Sequence, residues 1–216
     1  INAPKGYAEV ASKALAEVSG IPVVLSTNLI EATWDTGAYV QTSGVLKRIA
    51  VKLSKICNGL RLLSSGPRTG INEINLPRLQ PGSSIMPGKV NPVIPEVVSQ
   101  VAFDIIGKDV TITMAAEAGQ LELNVMEPII AFSLSNGIHR LRQAMRTLQD
   151  HCVSGITANK ERCRSMVENS IGIITALNPY LGYETSASIA KEALETGGSV
   201  IDIVLARNLL SREKLD

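Results

Sequence analysis

Aromatic side chains are scarce in this chain: two Phe, one Trp and four Tyr among 216 residues. Little is left for stacking on nucleobases. Charge of either sign is also nowhere in excess, since 21 Lys and Arg face 20 Asp and Glu. A near-neutral chain without a basic tract is not built to hold a polyanion, so no nucleic acid partner is expected. Histidine occurs twice, at His139 and His151, and the three cysteines, Cys57, Cys152 and Cys163, follow no ligand spacing. No metal site is expected from them. Separated thiols in odd number suit a reducing compartment, and the cytoplasm is the expected location. No apolar run approaches the ~18 residues a membrane span requires, and no signal peptide is expected. The chain begins with Ile and its first residues read as mid-protein sequence, so a fragment of a longer polypeptide is expected.

Aliphatic residues are what the chain has in plenty. Apolar residues make up 45% of it, and mean hydropathy is +0.17. One core of this size is not expected to hold all of that surface, and extensive subunit interfaces are the expected destination. The spacing predicts three long helices. Over 29–63, Leu46, Ile49, Leu53, Ile56, Leu60 and Leu63 recur at alternating steps of three and four, a heptad seam. Over 92–118 almost no polar face remains, which predicts a helix at the centre of a bundle. Over 128–152, Leu134, Ile138, Leu141, Met145, Leu148 and Cys152 form a second seam. A shorter helix over 5–18 precedes all three and stops at Gly20.

Beyond Gly155 the elements shorten and turn residues multiply, as at Asn178-Pro179, Gly182 and Gly197-Gly198. The expected architecture is all-α. A long-helix bundle covers 1–153 and a small helical C-terminal domain covers 154–216. Ser199 is placed to cap a last helix whose apolar face carries Val200, Ile203, Val204 and Leu205. Two short helices around Gly197-Gly198 also fit a helix-turn-helix, but only Arg207 supplies charge near the second, which disfavours DNA.

The chemistry concentrates in 64–91, SSGPRTGINEINLPRLQPGSSIMPGKVN. Bundle connections are far shorter, and loops of this length are usually functional when they are not disordered. Ile71, Ile74, Leu76, Leu79, Ile85 and Met86 give this one apolar residues to anchor it. Its end brings Ser83, Ser84, Lys89 and Asn91 together just before Pro92 opens a helix. Lys89 supplies a positive charge, Asn91 donates and accepts hydrogen bonds, and the helix start adds unpaired amides. Such a set can hold a carboxylate and stabilise the enediolate formed when a neighbouring proton leaves. A serine serves as the base only where its alkoxide is stabilised. The same residues also fit a plain surface loop, with Asn91 as a helix cap and Lys89 a solvated charge. Glu96 either favours the helix dipole or orients a histidine from another segment or subunit. Arg68 is a candidate to brace the loop. Glu117 and Glu122 read as surface charges.

Gly82-Ser83-Ser84-Ile85-Met86-Pro87-Gly88-Lys89-Val90-Asn91 resembles the signature of the aspartase/fumarase superfamily. So do SSGPR at 64–68, NEINLP at 72–77, PVIPEVV at 92–98, TMAAEAGQLELNVMEP at 113–128, GITANKERC at 155–163 and ALNPYLGYETSASIAKEA at 176–193. Within the superfamily, Asn72–Asn75, Ile94–Val98 and Ala115–Gln120 look most like the aspartate ammonia-lyases. The resemblance implies elimination of ammonia from L-aspartate to give fumarate in a homotetramer with shared sites. Ser83 would then take the C3 proton, and Ser84, Lys89 and Asn91 would bind substrate. Glu96 would pair with a histidine of a neighbouring subunit. The resemblance implies no metal in the chemical step and no organic cofactor. A class II fumarase acting on a related dicarboxylate is the alternative, and a non-catalytic helical assembly domain is the alternative of another kind. Two further site segments of such enzymes have no counterpart in 1–216, so the chain alone is expected to be inactive.

Overall fold

The computed structural model describes residues 2–80, 86 and 88–215. Helices dominate it. They are α1 (Tyr7–Ser19), α2 (Leu29–Trp34), α3 (Gly37–Leu63), α4 (Val93–Glu117), α5 (Glu127–His151), α6 (Lys160–Glu168), α7 (Ile174–Leu181), α8 (Tyr183–Thr196), α9 (Val200–Ala206) and α10 (Arg212–Leu215). The exception is a two-stranded antiparallel ladder, β1 (Ile74–Asn75) with β2 (Thr157–Ala158). The all-α expectation therefore holds. Among the described residues, no helix is long and apolar enough to cross a membrane.

The helix expected over 29–63 is interrupted. Asn28 caps α2, its Oδ1 accepting from the amides of Ile30 and Glu31 at 3.2 Å each. At Asp35 the backbone turns extended, with φ −70 and ψ 122. The Asp35 carboxylate then accepts from the amide of Gly37 at 3.0 Å. One short acid ends a helix and opens the next, which a seam of leucines does not reveal. Gly20 closes α1 in the left-handed region, φ 68, as its position after the last periodic residue predicts.

The chain divides into two compact units, 1–58 with 94–148, and 59–93 with 149–216. This division is not the 1–153 and 154–216 expected from the sequence: the second unit takes in 59–93 and resumes at 149.

In the first unit, α3, α4 and α5 share one core. Ala50, Ala102, Ile105 and Leu141 are buried together with Leu46, Ile49 and Leu53 packed against them. Ile112, Ala115, Ile130 and Leu134 form a second cluster. Burying one such Ile or Leu contributes about 1.5–3 kcal/mol. Gly137 lets α5 approach α4 closely, since a Cβ there would lie 3.3 Å from Ile105 Cδ1. The seams are only half used. Leu134, Leu141 and Leu148 are buried, whereas Ile138 and Met145 are exposed. Along α4 the buried stripe runs Pro95, Val98, Ser99, Ala102, Ile105, Asp109, Ile112 and Ala115. Val97, Phe103, Val110 and Met114 are exposed on the rest of it. A helix apolar nearly all round finds partners for one face within this chain.

Two polar ties fix the unit. Asn124, 2% exposed, donates Nδ2 to the Ala115 carbonyl at 3.0 Å and accepts at Oδ1 from the Met126 amide at 2.8 Å. It thereby joins the end of α4 to the start of α5. Asp109 on α4 is buried. It accepts from Ser43 Oγ at 2.8 Å and from Lys47 Nζ at 2.9 Å, both on α3. Burial alone would push its carboxyl pKa up. The hydrogen bonds from Lys47 and Ser43 and the Lys47 charge outweigh that and hold it below the ordinary carboxylate value.

In the second unit the core is small. Ile174, Leu177, Ile189, Ala193, Val200, Ile203 and Val204 bring α7, α8 and α9 together. Three of the four residues expected on the apolar face of the last helix are among them. Ser199 precedes α9, but its side chain makes no capping hydrogen bond.

Asp109→Ala should lower stability by about 1–3 kcal/mol near neutral pH, read as a shift of the urea midpoint. Its folded pKa is depressed, so its contribution is fully present above the unfolded value. It is lost as pH falls below the unfolded value and through the lowered folded one. Asp109→Asn should therefore flatten the acid limb of the stability profile. An unchanged acid limb would remove Asp109 as its source.

Candidate active site

The segment between α3 and α4 is built by its own short-range hydrogen bonds. Ser64 Oγ donates to the Leu60 carbonyl at 2.7 Å and Ser65 Oγ to that of Leu62 at 2.6 Å, closing α3. Ser65 Oγ also accepts from the Ile71 amide at 3.1 Å, and the Glu73 amide donates to the Leu63 carbonyl at 2.9 Å. The chain folds back on itself in between, through a cis Gly66–Pro67 peptide. The return is so tight that a Cβ on Gly70 would lie 2.3 Å from the Ser65 carbonyl carbon. Only glycine fits there. Asn72 then adopts φ 53, a left-handed conformation that Asn tolerates better than most residues.

Residues 157–163 hold this returning segment. The register pairs Ile74 with Ala158 and Asn75 with Thr157. The Asn159 amide donates to the Glu73 carbonyl at 2.8 Å. The Asn159 side-chain Nδ2 reaches the Asn72 carbonyl at 2.9 Å, Asn72 Oδ1 at 3.1 Å and Asn75 Oδ1 at 3.1 Å. Asn75 Nδ2 donates back to Asn159 Oδ1 at 2.6 Å and to Thr157 Oγ1 at 3.2 Å. Arg162 Nε donates to the Ile71 carbonyl at 3.2 Å. That bracing role was expected of Arg68, which is exposed and makes no hydrogen bond or ion pair among the described residues. Nothing in the spacing of Asn159 and Arg162 signals their partners some 90 positions earlier.

Inside this frame lies a cavity of about 210 Å³. Its polar lining is Ser64, Asn72, Asn75, Arg78, Lys89 and Asn91. Two expected site residues, Lys89 and Asn91, thus share one cavity, and two cations face it without any lining carboxylate. Lys89 Nζ, the Arg78 guanidinium and the Asn91 side chain have no hydrogen-bond or ion-pair partner among the described residues. Unfilled donors with net positive charge in one hollow suit a small anion. Ser64, Asn72, Asn75 and Arg78 are the polar lining residues to which motif reading gave no site role.

Ser83 and Ser84 lie outside the described residues. Glu96 stands in the first turn of α4, half-buried, and belongs to the first unit. It makes no ion pair among the described residues. His139 and His151 both lie on α5. Cys152 is buried, and burial pushes its thiol pKa up. That keeps it a neutral packing group.

Comparison with known proteins bears on this geometry. A family model described as "Lyase" matches residues 1–107, and one described as "Fumarase C C-terminus" matches 173–216. The chain is 62% identical over 215 residues to an aspartate ammonia-lyase of Pseudomonas aeruginosa, covering 100% of this chain and 45% of that protein. A crystal structure described as a fumarate lyase:delta crystallin from Brucella melitensis bound to cobalt superposes with TM-score 0.93 at 55% identity. It covers 100% of this chain and 46% of that one. A class II fumarase structure from Schistosoma mansoni gives TM-score 0.88 at 34% identity, over 100% of this chain and 48% of that one. The chain spans a little under half the length of the relatives it matches.

Gly70→Ala should displace the returning segment, because the new methyl meets backbone. A loss of about 1–3 kcal/mol in unfolding free energy is expected. Crystallography or amide exchange should show the change centred on 65–75. A variant as stable as the parent, with the same backbone there, would contradict the close approach.

Proposed function

Because the chain belongs to the aspartase/fumarase superfamily, we propose that it carries one share of the active site of an aspartate ammonia-lyase. The single observation that best supports this is the cavity that Lys89 and Asn91 line together, with a second cation and no carboxylate in its wall. A dicarboxylate is the small anion that such a hollow accepts. The 62% identity to an aspartate ammonia-lyase favours ammonia as the leaving group, against 34% to the class II fumarase.

In the proposed reaction Ser83 Oγ, as alkoxide, takes the C3 proton of L-aspartate. The electron pair left on C3 delocalises into the adjacent carboxylate and forms an enediolate. Lys89 and Asn91 bind that carboxylate and offset its growing charge, with Ser84 as a further contact. The pair then returns to form the C2–C3 double bond, the C2–N bond breaks, and ammonia departs from fumarate. The alkoxide is costly because a free hydroxyl is a very poor acid. Such an alkoxide requires hydrogen-bond donors beside it that stabilise its charge. Glu96 orients a histidine supplied by another subunit. No metal or organic cofactor takes part in these steps.

A homotetramer with sites shared between subunits fits the second apolar face of α4, where Val97, Phe103, Val110 and Met114 are exposed. Burial of that face by other copies removes apolar surface that a single chain leaves in water. The cytoplasm is the proposed location.

The proposal predicts that the polypeptide carrying this segment forms fumarate from L-aspartate, followed by ultraviolet absorbance of the new double bond. Activity on L-malate with none on L-aspartate would replace this reading by the fumarase one. Ser83→Ala should lower kcat by several orders of magnitude with assembly intact, and near-normal turnover would exclude Ser83 as the base. Lys89→Ala should chiefly raise KM, by roughly tenfold or more. An unchanged KM would count against its contact with substrate.

A further inference from the structure

Asn72 and Asn75, two of the three asparagines in the cavity wall, are not equivalent. Asn75 is fully committed. Its Nδ2 donates to Thr157 Oγ1 and Asn159 Oδ1, and its Oδ1 accepts from Asn159 Nδ2. Asn72 is committed at one end only. Its Oδ1 and its main-chain carbonyl both accept from Asn159 Nδ2, at 3.1 and 2.9 Å. A carboxamide whose oxygen is held on one side turns its nitrogen to the other. The Asn72 Nδ2 group has no acceptor among the described residues, although the residue is half-buried and lines the cavity. A half-buried amide donor left unfilled is costly unless water or a ligand fills it. The left-handed backbone at Asn72, φ 53, fixes the root of the side chain as well.

We propose that Asn72 is a further substrate-binding residue, donating Nδ2–H to a carboxylate of the dianion that Lys89 and Asn91 receive. Asn159 is a positioning residue. It touches no substrate, but by engaging Oδ1 it decides which end of the Asn72 amide is offered to the cavity. The inference rests on the reading of the cavity as a dicarboxylate site. It goes beyond that reading by making the segment 157–163 part of the binding apparatus.

Succinate, a dicarboxylate that cannot undergo elimination of ammonia, is the probe, titrated calorimetrically into the polypeptide that carries these residues. Asn72→Asp keeps the acceptor that Asn159 needs and tolerates the same backbone, but it replaces the donor by an oxygen. Succinate binding should weaken roughly tenfold or more, and KM for L-aspartate should rise in parallel with little change in kcat. Asn72→Gly removes the donor without adding charge and keeps the backbone unstrained, so binding should again weaken, by roughly threefold to tenfold. Asn159→Ala should also raise KM, and combined with Asn72→Gly it should add less than it does in the parent, the remainder being its separate hold on Asn75 and the Asn72 carbonyl.

A purely structural Asn72 predicts a different pattern. Asn72→Asp and Asn72→Gly would then bind succinate as the parent does, with circular dichroism unchanged, and that result overturns the proposal. Full additivity of Asn159→Ala with Asn72→Gly overturns the positioning role. A parent protein that binds succinate but converts neither L-aspartate nor L-malate sinks the lyase reading alone, and Asn72 is still judged by affinity. Failure of the parent to bind succinate overturns both.

Discussion

The cavity depends on one tie, the Asn159 side chain and its amide reaching back across some 85 residues of chain to 72–75. Among its described residues the segment 64–91 has no long helix or wide sheet of its own to support it. Its ladder has two residues per strand, far below what an isolated hairpin needs for stability. Asn159 compensates by satisfying main-chain and side-chain acceptors at once, with an NH₂ group shared among three oxygens. Loop closure over so long a chain is entropically expensive. The expense is met jointly, because 149–216 forms a compact unit with 59–93 and has its own core at Ile174, Leu177, Ile189 and Val204. Arg162 adds a second hold at Ile71, so the returning chain is gripped at both ends of its turn.

The first unit solves a different problem. Its core is apolar, yet α4 places Asp109 within the buried stripe. An acid there is tolerable only because Ser43 and Lys47 fill both of its oxygens. An ion pair in such a position adds little net stability compared with an aliphatic side chain, but it penalises any sliding of α4 along α3. The heptad seams do not supply that restraint, since a shift by one heptad would bury similar residues. Asp104 repeats the device between helices, bonded to both Lys108 and Arg140.

The sequence made the long helices legible because hydrophobic periodicity is a property of the helix itself. It placed α4 and α5 to within a residue or two. Periodicity failed at Asp35, where a single side chain bonds the Gly37 amide and separates α2 from α3. It also overstated burial at Ile138, Met145 and Phe103, because an apolar residue records what it can be buried against, not which partner is at hand. For the site, composition singled out Lys89 and Asn91, since charge and glycine cluster there. The superfamily likeness gave them a chemistry. Asn159 and Arg162 were illegible because their significance lies in contacts some 90 positions away. Gly70 was readable as a turn residue, but the 2.3 Å approach that demands it exists only in three dimensions.

Chain-wide charge is nearly balanced, at +1, yet the cavity wall holds Arg78 and Lys89 with no acid beside them. Leaving them unpaired costs little while both side chains reach water, because an exposed cation is already solvated. Pairing either with a wall carboxylate would have stabilised the empty protein by a small amount and opposed every incoming anion. Asn91 and Asn72 follow the same logic with neutral donors. The bracing contacts are made among Asn75, Thr157 and Asn159, which bond to one another. The donors facing the hollow are left incomplete. With that separation, the proposed anion would complete the hydrogen bonding of the site without first breaking any contact that holds the loop together.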